Sequence, residues 1–130
     1  MRRVAIIFGV CVTLAFLAVC LMGCADNSQF TLQVSGVSGL EFTGHCTHEV
    51  KHLDGSVTEN TDVAGKINAT QPTFQFVMSG TEIACVIHND TPDKPITIVL
   101  FKDGVEVKRV QTDSNESNYD FYIDYYSPTK

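Results

Sequence analysis

Leu40-Glu41-Phe42-Thr43-Gly44-His45-Cys46-Thr47-His48-Glu49-Val50-Lys51 changes character at every step. Leu40, Phe42, Gly44, Cys46, His48 and Val50 form a mainly apolar row, and Glu41, Thr43, His45, Thr47, Glu49 and Lys51 form a wholly polar one. Successive side chains of a β-strand point to opposite sides of the sheet, so a period of two reads as a half-buried strand over a core. That parity sends Cys46 inward.

On both sides of this stretch the chain breaks into short β-rich runs separated by Gly, Pro, Asn and Asp, with no sustained helical period. Strands are expected over residues 30–34, 40–53, 57–63, 73–78, 82–89, 96–102, 105–111 and 119–126, with a further short one around 66–69. Asp54-Gly55 and Asp103-Gly104 fall between such runs, where a tight hairpin wants positive φ. Ile96-Thr97-Ile98-Val99-Leu100-Phe101 is largely apolar on both faces, as a central strand would be. Seven or eight short strands with hairpin signals predict an all-β fold, a single antiparallel β-sandwich of immunoglobulin-like or transthyretin-like architecture, with a small barrel as the alternative. The chain has no Trp to pack on a disulfide, so the likeness to an immunoglobulin domain is one of architecture alone.

The N-terminus has a different character. Arg2 and Arg3 precede an uncharged run over residues 4–22, followed by a small residue and a cysteine, the order of a secretory leader. The run is also long enough for a membrane anchor helix. Leu21-Met22-Gly23-Cys24 resembles the lipobox of bacterial lipoproteins. In that family the cysteine thiol takes a diacylglyceryl group and becomes the mature N-terminus, which implies lipidation at Cys24 and attachment to a bacterial membrane, with the domain on the non-cytoplasmic side. Ala25 follows the cysteine and Asp26 comes one later, which by the same resemblance favours the outer membrane where a cell has two. The expected organisation is a signal peptide over 1–23, a lipidated cysteine and short tether over 24–29, and the sandwich over 30–127.

The five cysteines then separate by place. Cys11 and Cys20 belong to the leader and Cys24 carries the lipid, leaving Cys46 and Cys85 in an oxidising compartment, where a disulfide is the default. Ile83, Cys85 and Ile87 share a strand face, so the two sulfurs are expected to meet across the sandwich and bridge its core. The formal charge of −6 grows more negative once Arg2 and Arg3 leave. Such a surface repels phosphate backbones, which disfavours a nucleic-acid partner and leaves membrane attachment to the lipid.

Few residues carry chemistry. His45, Cys46, His48, Glu49 and His52 are crowded, but strand parity divides them; His48 and His52 share a face, and His88 would have to come from elsewhere to complete a metal site. No metal or other cofactor is expected. Asp113-Ser114-Asn115-Glu116-Ser117 with Asp124 imitates a calcium loop, but Asn118 stands where such a loop needs Gly, and a polar turn is the better account. No catalytic motif is present, and a disulfide would remove the Cys46 thiolate, so an enzyme is not expected. Asn68-Ala69-Thr70, Asn89-Asp90-Thr91 and Asn115-Glu116-Ser117 match glycosylation acceptors, which would matter only in a eukaryotic chain.

All four tyrosines, Tyr119, Tyr122, Tyr125 and Tyr126, lie in the last strand. Tyr119, Phe121, Ile123 and Tyr125 form its inward row; Asp120, Tyr122, Asp124 and Tyr126 form an outward row of flat apolar area and hydrogen-bond acceptors suited to a protein or glycan partner. The layout of a leader, a Val-Ser-Gly strand, a polar strand and a late strand–Asp103-Gly104–strand hairpin resembles small exported accessory domains of the mycobacterial MmpS type over residues 30–110. The expected role is a lipid-anchored, non-catalytic binding or accessory domain of the cell envelope. The alternatives are an anchored inhibitor or immunity lipoprotein directed at a hydrolase or toxin, and a small-ligand carrier.

Overall fold

The computed structural model describes residues 27–112 and 120–128. Its eight strands are β1 (Ser28–Gly36), β2 (Glu41–His52), β3 (Gly55–Lys66), β4 (Thr73–Gly80), β5 (Glu82–Asn89), β6 (Ile96–Lys102), β7 (Val105–Gln111) and β8 (Asp120–Tyr125). They form two antiparallel four-stranded sheets, ordered β4-β1-β6-β7 and β3-β2-β5-β8. Among the described strands only β2–β3 and β6–β7 are consecutive neighbours within one sheet; every other consecutive pair is divided between the two sheets. The domain is a β-sandwich.

Parity decides the core. Phe30, Leu32 and Val34 of β1, Phe42 and Cys46 of β2, Ile83, Cys85 and Ile87 of β5 and Ile98 and Leu100 of β6 are all essentially inaccessible to solvent. β6, apolar on both faces, is central between β1 and β7, and even its outward Val99 is covered. At one end of the core Phe42 meets Phe74 edge-on at 5.5 Å, and Phe74 stacks with Phe76. Gly65 lies opposite Phe42 in the register, and a side chain there would strike both the Phe42 and Phe74 rings at 2.9 Å. The missing Cβ makes room for the aromatic cluster.

Two turn readings come out differently. Asp103 and Gly104 both have positive φ, 51° and 81°, and make the two-residue turn between β6 and β7. Asp103 also exchanges two hydrogen bonds with the Gln29 backbone, tying this turn to β1. In the β2–β3 hairpin, however, His52 pairs with Gly55, so the corner is Leu53-Asp54 and Gly55 opens β3. No separate strand forms around 66–69. Lys66 ends β3, and Asn68 accepts hydrogen bonds from the amides of Thr70 and Gln71, which turns the chain.

The Cys46–Cys85 disulfide is present, but it does not span the sandwich. Cys46 and Cys85 are directly opposed residues of β2 and β5, neighbours in one sheet. Parity tells which face a residue takes and not which sheet its partner occupies, hence the mistaken expectation. Closing a loop of this length contributes about 4 kcal/mol in the chain-entropy account. A buried polar tie between sheets comes instead from His48, 4 % exposed, whose ring bonds to the Ser79 carbonyl of β4 in the other sheet and to the Thr61 hydroxyl of β3 in its own. Finally, β1 begins at Ser28, so the first residues of the sandwich fall inside the stretch expected as tether.

Candidate functional site

β8 pairs with β5 alone and is an edge of its sheet. Its inward row is Phe121, Ile123 and Tyr125: the first two are buried, and Tyr125 packs against Phe30 with ring centroids 5.6 Å apart. The Lys102 ammonium lies 4.7 Å from the centre of the Tyr125 ring and donates to its hydroxyl at 3.1 Å. This side of the tyrosine set closes the core, as the alternation requires. Tyr119 lies outside the described residues.

On the outward row Tyr122 is 69 % exposed, and Tyr126, just past the strand end, 60 %. The two aspartates of the same row, Asp120 and Asp124, behave differently from the free acceptors expected. His88 stands opposite Asp120 in the β5–β8 register, and its Nδ1 lies 2.6 Å from the Asp120 carboxylate, with Asp90 3.6 Å from Nε2. Asp124 is paired with Lys108 of β7. Each acid thus already serves a partner within the fold, and the tyrosine rings are the outward groups left for contact.

Next to Tyr126 the outer face of this sheet holds a shallow depression of about 160 Å³, lined by Thr47, Glu49, Thr58, Glu82, Ile83, Ala84 and Tyr126. Glu49 and Glu82 are direct cross-strand partners. Like charges so placed cost about 0.2–1 kcal/mol relative to a neutral pair. The sequence pattern put Thr47 and Glu49 on the outward face of their strand, but joining them to Glu82 and Tyr126 needed the β2–β5–β8 register, which no local pattern encodes.

The histidines do not converge. His48 points into the core, where the carbonyl of Ser79 can only accept, so Nδ1 donates to it, and Nε2 is bonded to the Thr61 hydroxyl at 3.1 Å. His52 ends β2 in solvent, and His88 lies on the outer face with Asp120. Among the described residues no group of three or more His, Cys, Asp or Glu could hold a metal ion. The calcium-like stretch at 113–118 lies outside the described residues, and Asp124 is committed to β8 and Lys108. Of the glycosylation triplets, Asn89 is buried with its side-chain amide bonded to the Lys94 carbonyl and the Thr91 amide. Elsewhere on the surface, the hydrogen bond to Glu41 holds Lys66 above the ordinary lysine value, and the Arg109 guanidinium holds Glu106 below the ordinary carboxyl value. Both pairs are solvent-exposed.

Comparison with protein-family models, with curated proteins and with solved structures returned no match to this chain.

Proposed function

We propose that this chain is a lipid-anchored, non-catalytic binding domain of the bacterial envelope. It is held at Cys24 on the non-cytoplasmic side of a membrane, the outer one where there are two, and serves as an accessory to a larger envelope assembly. The observation that carries the binding role is the pair Tyr122 and Tyr126, both mostly exposed on the outward side of an edge strand. Tyrosine gives large rigid contact area at low entropic cost, and an edge strand adds unpaired backbone groups to which a partner strand can bond. The partner is a protein or glycan that lies over β8 and the depression beside Tyr126. Anchoring rests on Leu21-Met22-Gly23-Cys24.

Metabolic labelling with a clickable fatty acid, comparing wild type with Cys24→Ser, tests the anchor: label lost on substitution supports it, and label that persists refutes it. Cross-linking in whole cells from positions 122 and 126, with position 33 on the opposite sheet as control, tests the face. A defined partner captured at the first two positions and not at the third supports the reading. Equal capture at all three defeats it.

A further inference from the structure

We propose that the turn Leu53-Asp54 is a membrane-docking tip, and that the sandwich stands on the bilayer through it, with its β2–β3 end toward the lipid. The inference rests on lipidation of Cys24, and goes beyond it by fixing which part of the domain meets the lipid surface.

Three observations converge on that end. The side-chain amide of Asn27 donates to the Lys51 carbonyl at 2.8 Å, and the Lys51 amide donates back to Asn27 Oδ1 at 2.8 Å. The start of the domain is thereby clamped to the end of β2. Three peptide steps separate Cys24 from Asn27, and an extended chain covers at most about 3.6 Å per step. An acylated cysteine thus keeps the Asn27 backbone within roughly 11 Å of the anchor point, and the Lys51 backbone, reached through the Asn27 side chain, within roughly 17 Å. The headgroup region of one leaflet is about 5–8 Å thick, so this end of the sandwich is held beside the bilayer surface.

Second, the side chain two residues beyond Lys51 is Leu53, which is 100 % exposed. Corners of two-residue hairpins ordinarily carry Gly, Asn or Asp, and a fully exposed leucine at that point gains nothing from the fold. Single exposed apolar residues are common on proteins, so Leu53 alone would mean little.

Third, the exposed apolar residues are graded along the sandwich. Val57 and Val105, both at least half exposed, lie in the half that contains Asn27; Val77 and Tyr122 lie nearer the middle, and Val37 stands at the opposite end. The register gives the direction. Ser28 pairs with Gly80, Phe30 with Lys102 and Val50 with Val57, so the β6–β7 turn and the start of β3 share the anchor-proximal end. With Leu53, these give aliphatic side chains at one pole, as contact with the headgroup–acyl boundary requires. Lys51 and Lys102 are outnumbered there by Asp54, Asp103, Glu49 and Glu82, so the contact is apolar and works on zwitterionic lipid. The lipid anchor raises the local bilayer concentration enough for a small contact of this kind to be occupied.

The chain contains no Trp, so a single introduced Trp reports its own surroundings. The lipidated full-length protein carrying Leu53→Trp, or Val37→Trp as the opposite-end control, is reconstituted into phosphatidylcholine vesicles with brominated acyl chains. Flotation reads the anchor and quenching reads the docking. Vesicle-bound Leu53→Trp protein with blue-shifted emission, quenched several-fold more than the Val37→Trp protein, is the expected result. Protein that floats with equal, weak quenching at both positions overturns the docking and leaves the anchor standing. Protein that does not float overturns the anchor and the docking with it. Leu53 is fully exposed, so neither outcome can be blamed on misfolding.

Discussion

The imidazole of His48, on β2, is joined to the backbone carbonyl of Ser79, on β4 of the opposite sheet, across 2.7 Å. The other ring nitrogen is within hydrogen-bond distance of the Thr61 hydroxyl, so both polar atoms of a buried side chain are satisfied. A histidine on the apolar row of an alternating strand is therefore a structural tie between sheets.

His48→Ala removes both bonds and leaves a void the size of an imidazole, and is expected to lower stability by about 2–4 kcal/mol. His48→Leu refills the void without the bonds and should fall between the two. Urea midpoints of the three proteins check the order. Equal midpoints for wild type and His48→Ala would show that the tie contributes nothing.

The disulfide joins neighbouring strands, so its loss should loosen the β2–β5 ladder without separating the sheets. Replacing Cys46 and Cys85 together with alanine is expected to cost about 4 kcal/mol while the protein keeps its β-rich dichroism. Thermal melts with and without reductant provide the check: wild type in reductant should melt near the double variant, and the double variant should be indifferent to reductant.

Tyr122 and Phe121 are adjacent in sequence and opposite in role. Phe121 is 7 % exposed and belongs to the core, so Phe121→Ala should destabilise by about 3–5 kcal/mol. Tyr122→Ala is expected to change stability by less than about 0.5 kcal/mol. The same change should weaken partner binding by about 1–3 kcal/mol. Melting temperatures and partner affinities of the two variants separate these effects. A Tyr122→Ala protein that melts as low as Phe121→Ala would place that ring in the core and remove it from the binding face.

The contrast between those two residues also marks what could be read from the sequence. Alternation alone placed Phe42, Cys46, Ile83, Phe121 and Ile123 inward and Tyr122 outward, because a half-buried strand writes its two environments into every second residue. Asp103-Gly104 gave its turn because both residues need positive φ there. Pairing is another matter. That β5 lies beside β2, and β8 beside β5, depends on how sheets stack, so the sequence misplaced the Cys46–Cys85 bridge across the sandwich. The same gap hid the Asp120–His88 and Asp124–Lys108 pairs, which engage two acids expected to face a partner. Glu49 and Glu82 were each legible as outward, and their apposition was not.

Lys108 supplies a final test, of how the open edges are guarded. It lies opposite Leu100 in the β6–β7 register, on the core-facing row of an edge strand, and reaches past the sheet to Asp124 on the edge of the other sheet. A register irregularity follows immediately, between Leu100 and Phe101. An inward-pointing charge and a local bulge are two of the devices that stop an edge strand from pairing with another chain. Lys108→Val removes the first device and releases Asp124 from its partner. Any effect on folding should be small, since the pair is about half exposed and such pairs contribute about 1 kcal/mol or less. Self-association should rise instead, as β7 edges pair between molecules. Light scattering of the soluble domain over a concentration series checks this, with the Lys108→Arg variant, which keeps the charge, expected to behave as wild type. If Lys108→Val stays monodisperse across the series, the edge is protected by the bulge alone.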